Sequence, residues 1–482
     1  MRNKIIKKKK KGNRRKEIVY LFLLAAIILV TPHLLRYFDG DILIGEESYY
    51  HARIAKEITE KGLIFYDNLS YQGRDYFINP YHLILALFYY IFGELSYKLL
   101  PFLLGMFSLL LFYLILKEHF KEEAILILFI FILSPAFIYA FTILNSYSFF
   151  MFLGLLSFFF CRKLKKGKGK EFIISLIIFA IIPFFGLFET FLMILFLLFY
   201  YLHKKDNKLL IMILVMLAIS SVYYTYIATG YNRELPIFLE KDIIRDSITE
   251  LGAMIGLGIF NVLLALIGIF LSWKWKKNSK KIYLIYSIIL ILVISHYYVG
   301  NEVNIYLNFI FSVFAGLALY RMINLRWEMK LIRNLTLIIL IAGLLFSCAG
   351  YIKILSNSLP NNDIINGLEY LKGLEKDNIV SYYKNGFWIE YYGKKSVMDS
   401  NFYYAPDLNE RFKDSNFILK SYDLEKTKQK LDKYNIGYIL ITPEMKNNVK
   451  GILFLFRNKE TFKNIYKWND VEIWEVVKKE AG

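Results

Sequence analysis

The feature that most constrains this chain is a series of apolar runs, each about 16 to 23 residues long and separated by Lys- and Arg-rich clusters, a length that matches the hydrocarbon thickness of a bilayer. The pattern continues to about residue 355 of 482. Length alone would suggest two to four soluble domains, but repeated runs of this size have a different solution. They predict membrane helices at Ile18–Leu35, Tyr97–Leu116, Ala124–Leu144, Ser146–Cys161, Leu209–Ala228, Leu251–Trp273, Ile282–Val299, Ile305–Tyr320 and Leu335–Tyr351. Phe172–Leu202 is interrupted by Pro183 and Gly186 and reads as a hairpin of two short helices. The total is about eleven spans.

Charge then orients them. The net charge of +19 could suggest nucleic acid, but the excess sits in the N-terminal tail and in short loops beside the spans, as topology signals do. No nucleic-acid partner is expected. Arg162–Lys170, Lys204–Lys208, Lys274–Lys281 and Arg321–Arg333 fall on one side with the basic tail; the opposite short loops hold only Arg233, Lys241 and Arg245. The expectation is a multi-pass cell-membrane protein with residues 1–17 as a cytoplasmic tail and 18–355 as the membrane domain. An outer loop, 36–96, and an extracytoplasmic α/β domain, 356–482, complete it. The stretch after Ile18 lacks a small-x-small cleavage site, so it reads as a retained helix rather than a signal peptide. Cys161 and Cys348 lie in or at the edge of spans and say nothing about redox compartment.

In the outer loop, Tyr81–Phe92 is apolar but too short to span and reads as an interfacial helix led by Pro80. Ser48–Lys61 reads as an amphipathic helix with Tyr49, Ala52, Ile54 and Ile58 against the membrane. Beyond 356, Asp363–Leu374 and Leu424–Tyr434 have helical periodicity. Asn378–Tyr382 and Gly437–Thr442 read as buried strands, and Phe462–Tyr466 with Val471–Glu475 as a hairpin around Asn469-Asp470.

These segments carry a resemblance. The outer loop holds an acidic-x-Tyr-Tyr-His-x-Arg signature, Glu47 to Arg53; Ser134–Tyr139 and Ser247–Glu250 follow; Ser381–Phe402 and Leu424–Met445 run in the order strand, Gly-x-Trp-Ile, Gly-x-x-x-Val-x-Asp, helix, Ile-Thr-Pro-Glu-Met. In that order and sidedness the chain resembles the archaeal catalytic subunits of oligosaccharyltransferase, GT-C fold enzymes that move a lipid-linked oligosaccharide onto protein asparagine. The resemblance implies a polytopic α-helical membrane protein, GT-C-like, with a C-terminal soluble α/β domain. It implies a donor whose departing diphosphate builds negative charge that a divalent cation (Mg or Mn) and an Arg can offset. By position it implies Glu47 as a catalytic carboxylate and metal ligand, Glu250 as a second catalytic acid, and His51, Arg53, Tyr382, Tyr383 and Lys384 as substrate contacts.

Asp39-Gly40-Asp41 has the spacing of a metal-binding pair, although Asp and Gly also form helix-end turns for conformational reasons alone. Glu47 and Glu250 could equally be acids favoured near helix N-termini. Departures from the family weigh against simple transfer of its function. Leu144–Ser148 has no carboxylate where an acidic pair is usual, Glu302 stands where an outer-loop Arg is expected, and Tyr382-Tyr383-Lys384 replaces Trp-Trp-Asp. A donor-only ammonium cannot accept a hydrogen bond from a Ser or Thr hydroxyl, so the Asn-x-Ser/Thr sequon is not the expected acceptor. Three readings stay open: a glycosyltransferase with altered acceptor, donor or metal geometry; a catalytically silent homologue that binds lipid-linked glycan or a partner enzyme; and a transporter, disfavoured because most spans carry no deep charge other than Glu189.

Overall fold

A computed structural model of the chain describes residues 2–37, 43–120, 122–164, 169–230, 243–275, 280–400, 406–446 and 448–477. In chain order the helices are α1 (Arg2–Tyr37), α2 (Glu46–Lys61), α3 (Pro80–Phe92), α4 (Ser96–His119), α5 (Glu123–Leu133), α6 (Pro135–Thr142), α7 (Ser146–Cys161), α8 (Gly169–Ile181), α9 (Leu187–Lys204) and α10 (Asn207–Gly230). They continue as α11 (Ile243–Ser247), α12 (Ile259–Trp275), α13 (Lys280–Val299), α14 (Val303–Asn324), α15 (Lys330–Ser356), α16 (Asn362–Lys372), α17 (Gly386–Tyr391), α18 (Leu408–Lys420), α19 (Leu424–Lys433) and α20 (Lys450–Leu455). The strands are β1 (Tyr66–Asp67), β2 (Arg74–Asp75), β3 (Asn378–Val380), β4 (Lys395–Ser396), β5 (Tyr438–Ile441), β6 (Phe462–Trp468) and β7 (Val471–Val476).

The chain divides into two units. One comprises Met1–Leu35, Lys98–Tyr224 and Leu239–Ser356; the other takes in Arg36–Tyr97 and Asn357–Gly482.

The first unit is helical. Among the described residues, six helical segments are long and apolar enough to cross a membrane, or seven with the bent α5–α6 pair taken as one. Eleven spans were expected, and α7, α12 and α13 are apolar but shorter. The bend, 65°, falls at Ser134-Pro135. Ser134 is extended, as a residue before proline must be, and Pro135 opens the next helix where its missing N–H costs nothing. The Phe172–Leu202 stretch breaks at Pro183 as expected, but α9 is by itself long enough to span. The span expected from Leu251 begins instead at Ile259. Residues 249–251 form a 3-10 turn, and Ile248 bridges to Leu257.

Small residues set the helix spacing in this unit. A Cβ on Gly268 would stand 2.1 Å from the Phe314 carbonyl oxygen, and one on Gly316 would stand 2.5 Å from Ile127, so α12 and α5 approach the backbone of α14 closely at these glycines. Asn308 accepts hydrogen bonds from Asn261 (3.2 Å) and Ser312 (3.1 Å) inside this packing.

The second unit joins the loop within residues 36–97 to the C-terminal domain. Its sheet runs β4-β3-β5-β7-β6, with β4, β3 and β5 parallel and β5, β7 and β6 antiparallel. The β6–β7 hairpin turns at Asn469, whose left-handed φ of 48° suits asparagine. Apolar clusters fill both faces. Tyr71 of the loop donates its backbone N–H to Ser396 (3.1 Å), so loop backbone covers the β4 edge.

Tyr49 and Ile54 of α2 were expected against the membrane, but Tyr49 packs with Leu368, Phe387, Trp388 and Ile473, and Ile54 with Ile64 and Tyr76. Helical periodicity finds the apolar face and not what covers it. On α3 the buried face is Tyr81, His82, Leu85 and Ala86, while Leu83, Leu87, Tyr90 and Ile91 stay exposed.

Candidate functional site

The parallel part of the sheet gathers three strand ends. β3 leads into Ser381–Lys384, β4 into Met398–Ser400 and β5 into Thr442–Glu444, and ligands of open α/β sheets bind outside such carboxyl ends. Asn385, 2% exposed, ties two of these turns by donating to Ser381 Oγ (2.9 Å) and Thr442 Oγ1 (3.4 Å); Ser381 in turn donates to the Leu440 carbonyl (2.8 Å). The third turn is pressed against α17, since a Cβ on Gly386 would stand 2.4 Å from the Met398 carbonyl oxygen. The three ends are thereby held together, and the space outside them is the candidate crevice.

The N-terminus of α2 meets this crevice. Gly45 has a left-handed φ of 78° and starts a helix whose first turn holds Glu46 and Glu47. Ser400 donates its hydroxyl to Glu46 Oε1 (3.1 Å). Burial pushes the Glu46 carboxyl up to about 7, against the opposing pull of Lys384 and Ser400; Glu444 and Asp399 push the same way as burial. Tyr382 and Tyr383 lie with ring centroids 4.4 Å apart, both half-buried, and Lys384 is exposed.

Behind the crevice lies a buried ion network. Arg53 makes a two-pronged contact with Asp67 (2.8 and 2.7 Å) and reaches Glu390 (2.9 Å). Arg74 bonds Asp67 (2.9 Å) and both oxygens of Asp399 (2.9 and 2.8 Å). None of the five is more than 6% exposed. Burial alone would raise the Asp67 carboxyl, but Arg53 and then Arg74 hold it well below the usual carboxylate range. Glu390 goes the other way, pushed well up by burial and then by Asp399. Arg53, expected as a substrate contact, thus has its guanidinium ends engaged within the protein.

His51, the other loop residue expected at the substrate, has Nδ1 2.6 Å from His82 Nε2, and His82 Nδ1 lies 2.6 Å from the Tyr76 hydroxyl. Burial pushes the His51 imidazole down to about 3, so it is neutral.

Glu250 lies in the first unit. It accepts the Ile259 N–H at the start of α12 (3.0 Å) and hydroxyl hydrogen bonds from Thr249 (3.1 Å) and Ser347. That is the geometry of a carboxylate at a helix N-terminus. Asn145, in the segment without a carboxylate, is a fully buried cap that accepts from Ser148 N–H (2.9 Å).

Asp39 and Asp41 lie outside the described residues. Among the described residues no three of His, Cys, Asp or Glu come together as a metal-holding group. Sequence reasoning missed Glu46 as a crevice residue, along with Ser400, Asp399, Asn385, Asp67, Arg74 and Glu390. Glu46 and Glu47 share the first turn of α2, and the contact of Glu46 with the strand ends is made by Ser400, 354 positions away, a separation that no local pattern announces.

The fold is similar to that of solved structures of an oligosaccharyltransferase, of ArnT and of the arabinofuranosyltransferase AftD. No protein-family model matches the chain, and no curated protein matches it in sequence. The apo oligosaccharyltransferase of Archaeoglobus fulgidus aligns with 92% of this chain and 73% of its own at 13% identity and a TM-score of 0.63. ArnT from Cupriavidus metallidurans, bound to undecaprenyl phosphate, aligns with 96% of this chain and 99% of its own at 14% identity and a TM-score of 0.53. Arabinofuranosyltransferase AftD from Mycobacteria aligns with 95% of this chain and 40% of its own at 12% identity and a TM-score of 0.55. At these identities the likeness is one of fold.

Proposed function

We propose that this chain is a membrane glycosyltransferase that takes its sugar from a lipid-linked donor at the outer membrane face, a divergent paralogue of the archaeal oligosaccharyltransferases with a different acceptor. The observation that carries the reading is the acid-bearing start of α2 set at the ends of three parallel strands, in a chain with GT-C fold. Two structural neighbours support the lipid carrier. The Archaeoglobus fulgidus enzyme has been solved with dolichol-phosphate and an inhibitory peptide, and ArnT with undecaprenyl phosphate.

In the reaction the acceptor's X–H group attacks the anomeric carbon. The C–X bond forms, the bond to the diphosphate oxygen breaks with its electron pair going to that oxygen, and the proton passes to the Glu47 carboxylate. Tyr382 and Tyr383 flank the acceptor. The replacement of Glu47 by Gln keeps size and removes the base. We expect turnover of a polyprenyl-diphosphate-linked sugar to fall roughly hundredfold or more, the effect of losing about 3 to 4 kcal/mol of preorganised electrostatic stabilisation. The melting temperature should hold. If Glu47→Gln turns over donor at the wild-type rate, the base lies elsewhere and the helix-start reading of Glu47 stands. A silent homologue is favoured by the buried cap at Asn145, where the family's acidic pair would be. It predicts retention of undecaprenyl- or dolichyl-phosphate vesicles with no turnover in wild type.

A further inference from the structure

In the β6–β7 hairpin Trp468 stands opposite Val471, and Ile441 at the end of β5 stands opposite Glu472 of β7, so the hairpin turn lies at the same end of the sheet as Thr442–Glu444. Lys446 fastens it there through Asp470 (3.0 Å) and Glu472 (3.4 Å). The start of α16 meets this turn: Asp363 accepts the indole N–H of Trp468 (3.2 Å) and the side-chain N–H of Asn469 (3.0 Å). About two turns further along α16, Tyr370 packs on Tyr466 with ring centroids 4.9 Å apart and donates its hydroxyl to the Ile465 carbonyl (3.1 Å). Gly367 lets the helix come down onto the strands here, since a Cβ on it would stand 2.9 Å from Val471 and 3.5 Å from Tyr466. Trp468 is nevertheless 56% exposed and Tyr370 41%.

Tyrosine and tryptophan at a surface ordinarily bury the apolar body and keep the polar tip wet. Here the tips of Trp468 and Tyr370 are hydrogen-bonded within the protein, and the apolar ring is what remains exposed, held in one orientation. Alternation along β6 sends Lys467 to the opposite face, where it meets Glu472 (3.7 Å). The rings are therefore rimmed by the carboxylate of Asp363 and by the amides of Asn469 and of Asn366, one turn along α16. A surface made for anionic headgroups would carry Lys and Arg at this rim instead. An aromatic face carries partial negative charge and attracts polarised C–H groups. The flat face of a pyranose supplies those groups, while its hydroxyls reach sideways to amides and carboxylates. We propose that Trp468, with Tyr370 and Tyr466, stacks a neutral oligosaccharide, the acceptor of the transfer reaction, where it leads away from the crevice. Two strand spacings, about 10 Å, separate β6 from β5, a gap that a short oligosaccharide covers. The attacking X–H is then a sugar hydroxyl. The sugar follows from the rings and their rim; its role as acceptor rests on the transferase reading.

The test is saturation-transfer-difference NMR on the full chain in nanodiscs, because maltoside detergents would themselves compete for the rings. The probes are three neutral tetrasaccharides: maltotetraose, mannotetraose and chitotetraose. Wild type should pass saturation to the ring C–H protons of at least one of them, with a Kd on the order of 1 mM. Trp468→Ala should weaken that binding roughly tenfold, the worth of one aromatic contact, while Trp468→Phe keeps a flat face and should retain most of it. Both variants should melt within a few degrees of wild type, because the indole is exposed. A wild-type protein that binds sugar through Trp468 yet turns over no donor would sink the transferase reading and leave the sugar subsite standing. Failure of wild type to bind any of the three would overturn the proposal, as would binding that Trp468→Ala leaves unchanged. So would Trp468 fluorescence, isolated by difference against Trp468→Phe, that brominated lipids in the nanodisc quench and the oligosaccharides do not, since the rings would then face the bilayer.

Discussion

His51 shows how a residue can sit in the most family-like stretch of the chain and still be occupied with the protein's own interior. Its Nδ1 meets His82 at 2.6 Å, and burial pushes its pKa down to about 3, against about 6.5 in an unfolded chain. A histidine whose folded pKa is lowered contributes fully above the unfolded value. As pH falls below about 6.5 the unfolded state takes up a proton that the folded state refuses, and stability drops by about 1.4 kcal/mol per pH unit. From pH 6.5 to 5 the loss from this group is about 2 kcal/mol. In His51→Asn that slope disappears, so the unfolding free-energy gap between wild type and variant should narrow steadily from pH 7 to pH 5. A gap that stays constant over that range would mean that His51 is protonated in the fold. None of this was legible in the sequence, where the two histidines stand 31 residues apart and carry no spacing that pairs them.

At the scale of elements, periodicity found what it can find. The β6–β7 hairpin, α16, α19 and the strands β3 and β5 were expected within a few residues, whereas α12 starts eight residues after its expected Leu251 and the single span expected over Ala124–Leu144 is broken at Ser134-Pro135. β4, α17 and β1–β2 were not, because two-residue strands and a six-residue helix are shorter than any period that could announce them. They nevertheless carry the network that joins loop to domain: Asp67 on β1, Arg74 on β2, Glu390 on α17. Its members are not equivalent. Asp67 is held ionised by two arginines, so Asp67→Asn leaves buried guanidinium groups short of charge and should cost about 3 to 5 kcal/mol, the usual penalty for breaking a buried pair. Glu390 is driven toward its neutral form, so Glu390→Gln, equal in size and uncharged, should cost no more than about 1 kcal/mol, the worth of an ordinary hydrogen bond. Urea or thermal unfolding in detergent reads both. Equal losses for the two variants would mean that Glu390 is a full ionic partner of Arg53.

For the whole molecule, the sequence speaks most clearly through charge. Segregated Lys and Arg clusters predict that the tail and the 321–333 loop face the cytoplasm and that everything from Asp363 onward faces outward. The two native cysteines are buried, which makes the wild-type chain a quiet background for single-cysteine labelling. Glu425, whose side chain is 79% exposed on α19, reports on the C-terminal domain, and Glu328, exposed between α14 and α15, reports on the basic loop. A membrane-impermeant maleimide added to intact cells should label Glu425→Cys fully and should reach Glu328→Cys only after the membrane is opened. The reverse pattern would invert the topology and carry the whole α/β domain, with its crevice, into the cytoplasm. A donor presented on the outer leaflet could not then reach Glu47, and the transferase proposed here would have to draw its lipid-linked sugar from the inner leaflet instead.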